Sequence, residues 1–259
     1  GFDVIIAIDD DNFLHDENFI GLHHAGLKKA GYGRRYASGW FNCCSMLAET
    51  EDKKFYPRGY PLSERRHNPG FYWDQGLKPV GVNAGLWLGE PDIDAVTRLA
   101  IFPEAIGFAK QDSTILAPGT WCPFNSQNTA LRRELLPAWF MSPHVGRFDD
   151  IWASYIVQAC MAAMGHVLHF GHPLVHQDRN AHDLFHDFDL ERLGMGLTDG
   201  FCAALRGMTI DGKSYAECTL QALTVIDAWS GGLKEEAHRA ALDKFTFGYR
   251  LWIEALETK

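Results

Sequence analysis

The chain has 259 residues, 46% hydrophobic and 13% aromatic, enough to bury a sizeable core as one large or two unequal domains without disulfides or a structural metal. Charged residues make up 22%, which excludes a mainly disordered protein. The 33 acidic against 24 basic residues leave a net charge of −9. This argues against general nucleic-acid binding and means that an anionic ligand needs a local cation, either a few arginines or a metal ion. No apolar run approaches the roughly 18–20 residues needed to cross a bilayer.

The six cysteines (43, 44, 122, 160, 202 and 218) form no C-x-x-C pair, and adjacent Cys43 and Cys44 point apart in regular structure. They read as buried reduced thiols of a cytoplasmic protein.

In chain order, Asp3 to Ile8 is a β-branched apolar run, the pattern of a buried strand. It begins as though the chain were cut into a fold, and it stops at Asp9-Asp10-Asp11. A helix is predicted over Glu17–Ala30, closed by Gly31 and Gly33. Residues 51–81, rich in Pro, Gly, Arg and aromatics, read as a long ordered loop. A strand over Val82–Leu88 and a helix over Ile93–Leu99 follow, and Asn128–Leu136 mixes strand and helix signals. Ile151–Met164 is apolar at helical spacing and ends at Gly165. A strand over His166–Phe170 precedes two C-terminal helices, Ser214–Trp229 and Lys234–Glu257. In the last, Leu242, Phe245, Tyr249, Trp252 and Leu256 form one apolar stripe. It is either a packing face against the main domain or a subunit interface. Mixed strand and helix signals predict an α/β fold with a helical C-terminal part.

The acidic triplet is the main chemical signal. In an extended chain Asp9 and Asp11 face the same way while Asp10 points elsewhere, and ligands of open α/β sheets bind beyond the carboxyl ends of strands. Two converging carboxylates suit Mg²⁺ or Mn²⁺, which keeps open positions for phosphate oxygens; a solvated turn with an Asp at a helix N-cap is the alternative. Asp149 and Asp150 stand at the head of an apolar helix, either complementing its dipole or serving as a general base and sugar-holding carboxylates. The segment Arg58-Gly59-Tyr60-Pro61-Leu62-Ser63-Glu64-Arg65-Arg66 concentrates three arginines. Their guanidinium forks suit a diphosphate, and Tyr60 could stack on a base or sugar. His182 and His186 are spaced i, i+4, but Asp183 stands where a zinc protease needs Glu, which argues against that chemistry. His176, at a plausible strand end, could return to the acidic triplet as a metal ligand.

These segments, taken in order, resemble the reversibly glycosylated polypeptides, a family that includes the plant UDP-arabinopyranose mutases. The resemblance rests on Ile6-Ala7-Ile8-Asp9-Asp10-Asp11, Arg58-Gly59-Tyr60-Pro61-Leu62-Ser63-Glu64-Arg65, and Gly85-Leu86-Trp87-Leu88 with Pro91-Asp92-Ile93-Asp94-Ala95. It continues through Gly146-Arg147-Phe148-Asp149-Asp150-Ile151-Trp152-Ala153 and His176 to Trp252-Ile253-Glu254-Ala255. It implies a GT-A-like mixed sheet flanked by helices, with residues 1–205 as the metal and acceptor side and 206–259 as a helical region. The N-terminal nucleotide-gripping half of the family is expected to be missing.

It further implies a metal-dependent enzyme that takes a UDP-sugar, or another NDP-sugar, with Mn²⁺ or Mg²⁺. Asp9, Asp11 and His176 would hold the metal. Asp9, Asp10, Arg58, Tyr60 and Trp87 make up the expected substrate-binding set, and Asp149, Asp150 and Arg65 the catalytic one. Arg65 matches the arginine of the Y-P-x-S-x-R segment on which members become glycosylated. Phe71-Tyr72-Trp73-Asp74, inserted relative to the family, could line an acceptor groove. A pyranose/furanose mutase or self-glycosylating enzyme is therefore expected. The alternatives are a glycosyltransferase with a separate acceptor and a non-catalytic subunit. Cytoplasmic residence, with peripheral membrane contact as the variant, and self-association through the C-terminal helices complete the expectations.

Overall fold

The computed structural model describes residues 2–50, 54–66, 70–109 and 113–258. Its elements are β1 (Val4–Ile8), β2 (Asn12–Leu14), α1 (Phe19–Leu27), β3 (Ala30–Tyr36), β4 (Leu47–Glu49), β5 (Phe71–Gly89), α2 (Ala95–Ala100), β6 (Ala105–Phe108) and β7 (Thr114–Ile115). They continue with β8 (Asn128–Arg132), α3 (Asp149–Met164), β9 (Val167–Gln177), α4 (Leu184–Arg206), α5 (Tyr215–Ser230) and α6 (Glu236–Glu257). The fold is α/β, as expected: a mixed, largely antiparallel sheet flanked by helices, with helices at the C-terminus.

Strand β5 is the spine. Its C-terminal half pairs antiparallel with β8 and parallel with β9, and β8 pairs antiparallel with β1 in the register Ile8↔Asn128. The C-terminal ends of β1, β5 and β9 and the start of β8 therefore meet at one end of the sheet. The expected loop over 51–81 is corrected there, since the β-branched and aromatic residues of 71–89 form one strand despite Gly76 and Pro79. Pro79 pairs with Ala30 at the start of β3, where β5 has only that partner. Residues 51–53 and 67–69 of that expectation lie outside the described residues. The helix expected over Glu17–Ala30 is shorter, and Gly31 and Gly33 belong to β3; a Cβ on Gly33 would fall 2.5 Å from the Ala117 backbone.

Helix α3 is buried along most of its length and stops at Gly165, whose φ of 78° favours glycine. Helix α4, 23 residues long, has no counterpart in the sequence expectations. Its glycines hide the helical pattern, yet Gly194 and Gly200 each have a packing reason. A Cβ on Gly194 would run into the Phe148 ring, and one on Gly200 would lie 2.7 Å from Trp229. Small residues let the helix approach those rings closely. The Asp183 carboxylate caps α4 by accepting from Phe185 and His186 N–H groups, so His182 precedes the helix and does not share a face with His186.

The apolar stripe of α6 faces inward: Leu242, Phe245, Tyr249 and Ile253 are buried. The Tyr249 hydroxyl donates to Ala138 O at 3.2 Å and Trp252 Nε1 to Leu136 O at 2.8 Å. It is a packing face. All six cysteines are buried and free. Among the described residues no helix is long and apolar enough to cross a membrane.

Several histidines are explained by packing. Between α1 and the sheet, Asn83 Nδ2 donates to His23 Nδ1 at 2.8 Å, His23 Nε2 donates to Asn128 Oδ1 at 2.9 Å, and His169 Nδ1 donates to Asn83 Oδ1 at 2.6 Å. This chain requires a neutral His23, and Lys29 Nζ donating to His169 Nε2 at 3.2 Å requires the same of His169, consistent with burial, which pushes His169 down to about 3.

Candidate active site

The site is built at the sheet end where β1, β5, β8 and β9 meet, on the side of the α3 N-terminus. Its centre is an arginine enclosed by carboxylates. Arg58 is buried, and Nε and Nη2 donate to Asp92 at 3.0 Å each, while Nη1 and Nη2 donate to Asp150 at 3.1 Å each. Its remaining Nη1 hydrogen meets the Arg147 carbonyl. All five guanidinium donors are thus used. Gly59 (φ 75°) turns the chain directly after Arg58 and packs on Ile151, and its carbonyl accepts from the Tyr155 hydroxyl at 2.8 Å.

The expectation that Arg58 offers a free fork to a diphosphate is therefore corrected: its positive charge is spent on Asp92 and Asp150. Burial pushes the Asp92 carboxyl up, but the charge and hydrogen bonds of Arg58 more than offset this and hold it well below the usual carboxylate range. Asp150 also accepts from Ser126 N at 3.2 Å and from Ile151 N at 2.8 Å. It is fully committed. Asp149 is not. Half-buried beside Asp150, it accepts from the Asp150 N–H, and burial and the neighbouring negative charge raise it above an ordinary Asp.

Asp9, at the end of β1, lies within reach of this cluster. Burial first, then Asp92, Asp150 and Asp11, push its carboxyl up to about 6, against a hydrogen bond from Gln127. Asp10 is exposed in the turn that follows. Asp11 has one buried carboxylate oxygen, Oδ1, with no hydrogen-bond partner, and its other oxygen meets Gln177 Nε2 at 3.5 Å. The β9 side chain that reaches Asp11 is thus Gln177. Neighbouring residues of a strand face opposite ways, and His176 is exposed, its ring beside Gly89. Among the described residues no three His, Cys, Asp or Glu side chains are grouped closely enough to hold a metal ion. Asp9, Asp11 and His176 therefore form no preassembled cage, although the buried, unpartnered Asp11 oxygen near Asp9 is the donor type that a divalent cation takes.

Three further expected residues lie elsewhere. Tyr60 is a core residue, with its ring centroid 4.8 Å from Tyr56 and 5.8 Å from Trp40, and does not offer a face to a base. Trp87 is buried behind the cluster and lines a small cavity with Arg58, Asp92 and Asn125. Arg65 is held away from Asp149 and Asp150 by Asp94 at 2.5 Å and Thr97 at 3.2 Å.

Sequence reasoning missed Asp92, Asn125, Gln127 and Gln177 as site residues. Asn125 Nδ2 donates to Asp92 at 2.8 Å and to Gln127 Oε1 at 2.8 Å, linking Arg58 to Asp9. The available signal was the polar run Asn125-Ser126-Gln127 between the apolar Trp121–Phe124 segment and a strand.

No family model matches the chain. Among curated proteins it is similar to a probable UDP-arabinopyranose mutase 1 of Pisum sativum, 32% identical over 184 residues, covering 66% of this chain and 46% of that protein. UDP-arabinopyranose mutase 1 of Arabidopsis thaliana is 30% identical over 131 residues, 48% of this chain and 34% of that protein. A probable UDP-arabinopyranose mutase 4 of Arabidopsis thaliana is 24% identical over 275 residues, 98% of this chain and 67% of its own length. The chain thus spans about half the length of the pea relative and a third of the first Arabidopsis one.

Proposed function

Since this chain is a relative of the UDP-arabinopyranose mutases, we propose that it is a nucleotide-sugar enzyme exchanging the pyranose and furanose forms of a UDP-bound sugar in the crevice beside Asp9, Asp11 and Asp149. The supporting observation is the convergence of Asp9, Asp92 and Asp150 at one sheet end around Arg58, with Asp9 pushed up to about 6. Changing ring size exchanges one ring oxygen on the anomeric carbon for another. The bond to the old ring oxygen breaks, a bond to a different sugar hydroxyl forms, and the bond from that carbon to the diphosphate oxygen opens and re-forms. The proton lost by the attacking hydroxyl is held and returned to the released ring oxygen. A carboxylate raised above its ordinary range suits that proton. Asp149, raised by burial and by neighbouring Asp150, is the carboxylate left for that role, while Arg58 fixes Asp92 and Asp150 as positioning groups.

A divalent ion at Asp11 and Asp9, of the Mn²⁺ or Mg²⁺ kind, would supply charge neutralisation for the diphosphate when bound. Under this reading Asp11→Asn abolishes Mn²⁺-dependent binding of UDP, measured by calorimetry, with little change in melting temperature. Self-glycosylation at Arg65 is the weaker route, because its pair with Asp94 would have to open first.

The test is incubation with a panel of UDP-pentoses and UDP-hexoses, with Mn²⁺ or with EDTA, followed by separation of products. An isomerised nucleotide sugar formed without acceptor is the expected result. Free UDP released only with acceptor identifies a glycosyltransferase instead. No turnover, hydrolysis or self-glycosylation with any donor overturns the proposal and leaves a non-catalytic subunit.

A further inference from the structure

Outside the acidic crevice, β3 and the first half of β5 pair as a two-stranded ribbon in the register Tyr36↔Phe71, Arg34↔Trp73 and Tyr32↔Leu77. Directly paired residues share a face, so one face carries Tyr32, Tyr36, Phe71, Trp73 and Leu77 around Arg34. The Phe71 and Trp73 rings meet edge to face at 5.6 Å, and Phe71 lies 5.6 Å from Tyr36. The Arg34 guanidinium sits 4.8 Å over Phe71 and 5.3 Å over Trp73, which fixes the rings in place.

At the outer end Trp73 is 58% exposed and Tyr32 57%. Between them runs an open trough of about 660 Å³ whose other lining residues are Asp74 and Gln75. The ribbon is anchored at its base: Ala117 N donates to Arg34 O at 3.1 Å and Tyr36 N to Thr120 Oγ1 at 3.1 Å. Gly33 lies against the Ala117 backbone, where no side chain would fit. The rings are therefore presented on a rigid element, which lowers the entropy cost of binding.

Two exposed rings bounding a trough with a carboxylate and an amide match the chemistry of a sugar. A saccharide ring has a C–H face that covers an aromatic face, and a rim of hydroxyls that Asp74 and Gln75 can accept from and donate to. A nucleotide would also stack, but the residues lining the trough carry no cation for its phosphates, Arg35 being paired with Asp74 at 2.7 Å, and the protein has a net charge of −9. We propose that the Tyr32–Trp73 trough is a binding site for a neutral oligosaccharide, separate from the nucleotide-sugar crevice. It stands whether or not the mutase reading does, because it is read out without nucleotide.

The full chain is titrated with neutral xylo-, arabino-, gluco- and manno-oligosaccharides of two to four units, followed by calorimetry and tryptophan fluorescence. At least one series is expected to bind. Trp73→Ala and Tyr32→Ala should each weaken it about tenfold or more, the scale of one lost stacking contact. Tyr72→Ala, one residue along the strand and on the opposite face, should leave affinity unchanged. Unchanged melting of all three variants verifies the fold, since these rings are more than half exposed. The proposal is overturned if no oligosaccharide in the panel binds at roughly 10 mM, a range typical of weak single-site recognition, or if Trp73→Ala and Tyr32→Ala leave binding intact. Loss of UDP binding in Trp73→Ala overturns it in favour of a nucleotide site. Concentration-dependent dimerisation abolished by Trp73→Ala, without sugar binding, overturns it in favour of a second copy of the chain.

Discussion

Replacing Arg58 by Met keeps much of the side-chain volume and removes the cation that Asp92 and Asp150 share. Both carboxylates are buried, 2% and 4% exposed, and four of the five Arg58 hydrogens go to them. Breaking a buried ion pair from one side costs about 3–5 kcal/mol, because the remaining charge stays desolvated. For a chain of this size that lowers the melting temperature by roughly 10 °C near neutral pH.

The pH dependence reports the cause. In the parent protein Asp92 is held below its ordinary value, so its contribution to stability is present above the unfolded carboxylate value and is lost as acid protonates it. In Arg58→Met burial dominates and raises the Asp92 carboxyl. Its protonated form is then favoured in the fold, and stability falls as pH rises. The gap between parent and variant should therefore widen from about pH 4 to pH 7. Urea denaturation across that range is the assay, and the triple variant Arg58→Met, Asp92→Asn, Asp150→Asn should regain most of the loss. A variant within about 1 kcal/mol of the parent at neutral pH, well under the cost of an unpaired buried charge, or a gap that does not change with pH, would refute the account of Arg58 as a buried clamp.

Other substitutions separate site chemistry from packing. Asp9 has a folded value of about 6, above its unfolded value, so ionising it destabilises the fold and stability falls as pH rises through that window. Asp9→Asn in EDTA should then be more stable than the parent above about pH 6, an advantage lost below about pH 4. Its partial exposure screens the effect to roughly 1–2 kcal/mol, readable as a rise in melting temperature of a few degrees. Gly194→Ala should cost about 1–3 kcal/mol in urea unfolding, because the added methyl meets the Phe148 ring and the α4 crossing must open. Tyr60→Phe should leave UDP affinity unchanged in calorimetry while Tyr60→Ala unfolds at about 3–5 kcal/mol lower stability, the signature of a core ring; a selective affinity loss in Tyr60→Phe would return it to the binding set.

Where local periodicity is strong, the sequence determines the element. The β-branched run of β1, the apolar α3 ending at Gly165 and the inward stripe of α6 all form where their patterns place them. The ordered motifs likewise carry the resemblance, and the acidic triplet falls at the strand end where the apolar run stops, although β1 is half-buried and Ile8 exposed where the run reads as a buried strand. What a local pattern cannot encode is partnership over distance. Arg58 finds Asp92 34 positions on and Asp150 92 positions on, so three motifs that read separately as phosphate, turn and sugar groups become one neutralised clamp. The same limit hid β5 behind Pro79 and α4 behind its glycines, two of which, Gly194 and Gly200, have their reason in a ring on another element. Strand alternation and register, settled only when β9 pairs with β2 and β5, bring Gln177 rather than His176 to Asp11. The residue types of the crevice are set by sequence. Which of them keep a charge free for a ligand is set by the fold, because only tertiary packing decides which carboxylates are desolvated and which already have their cation.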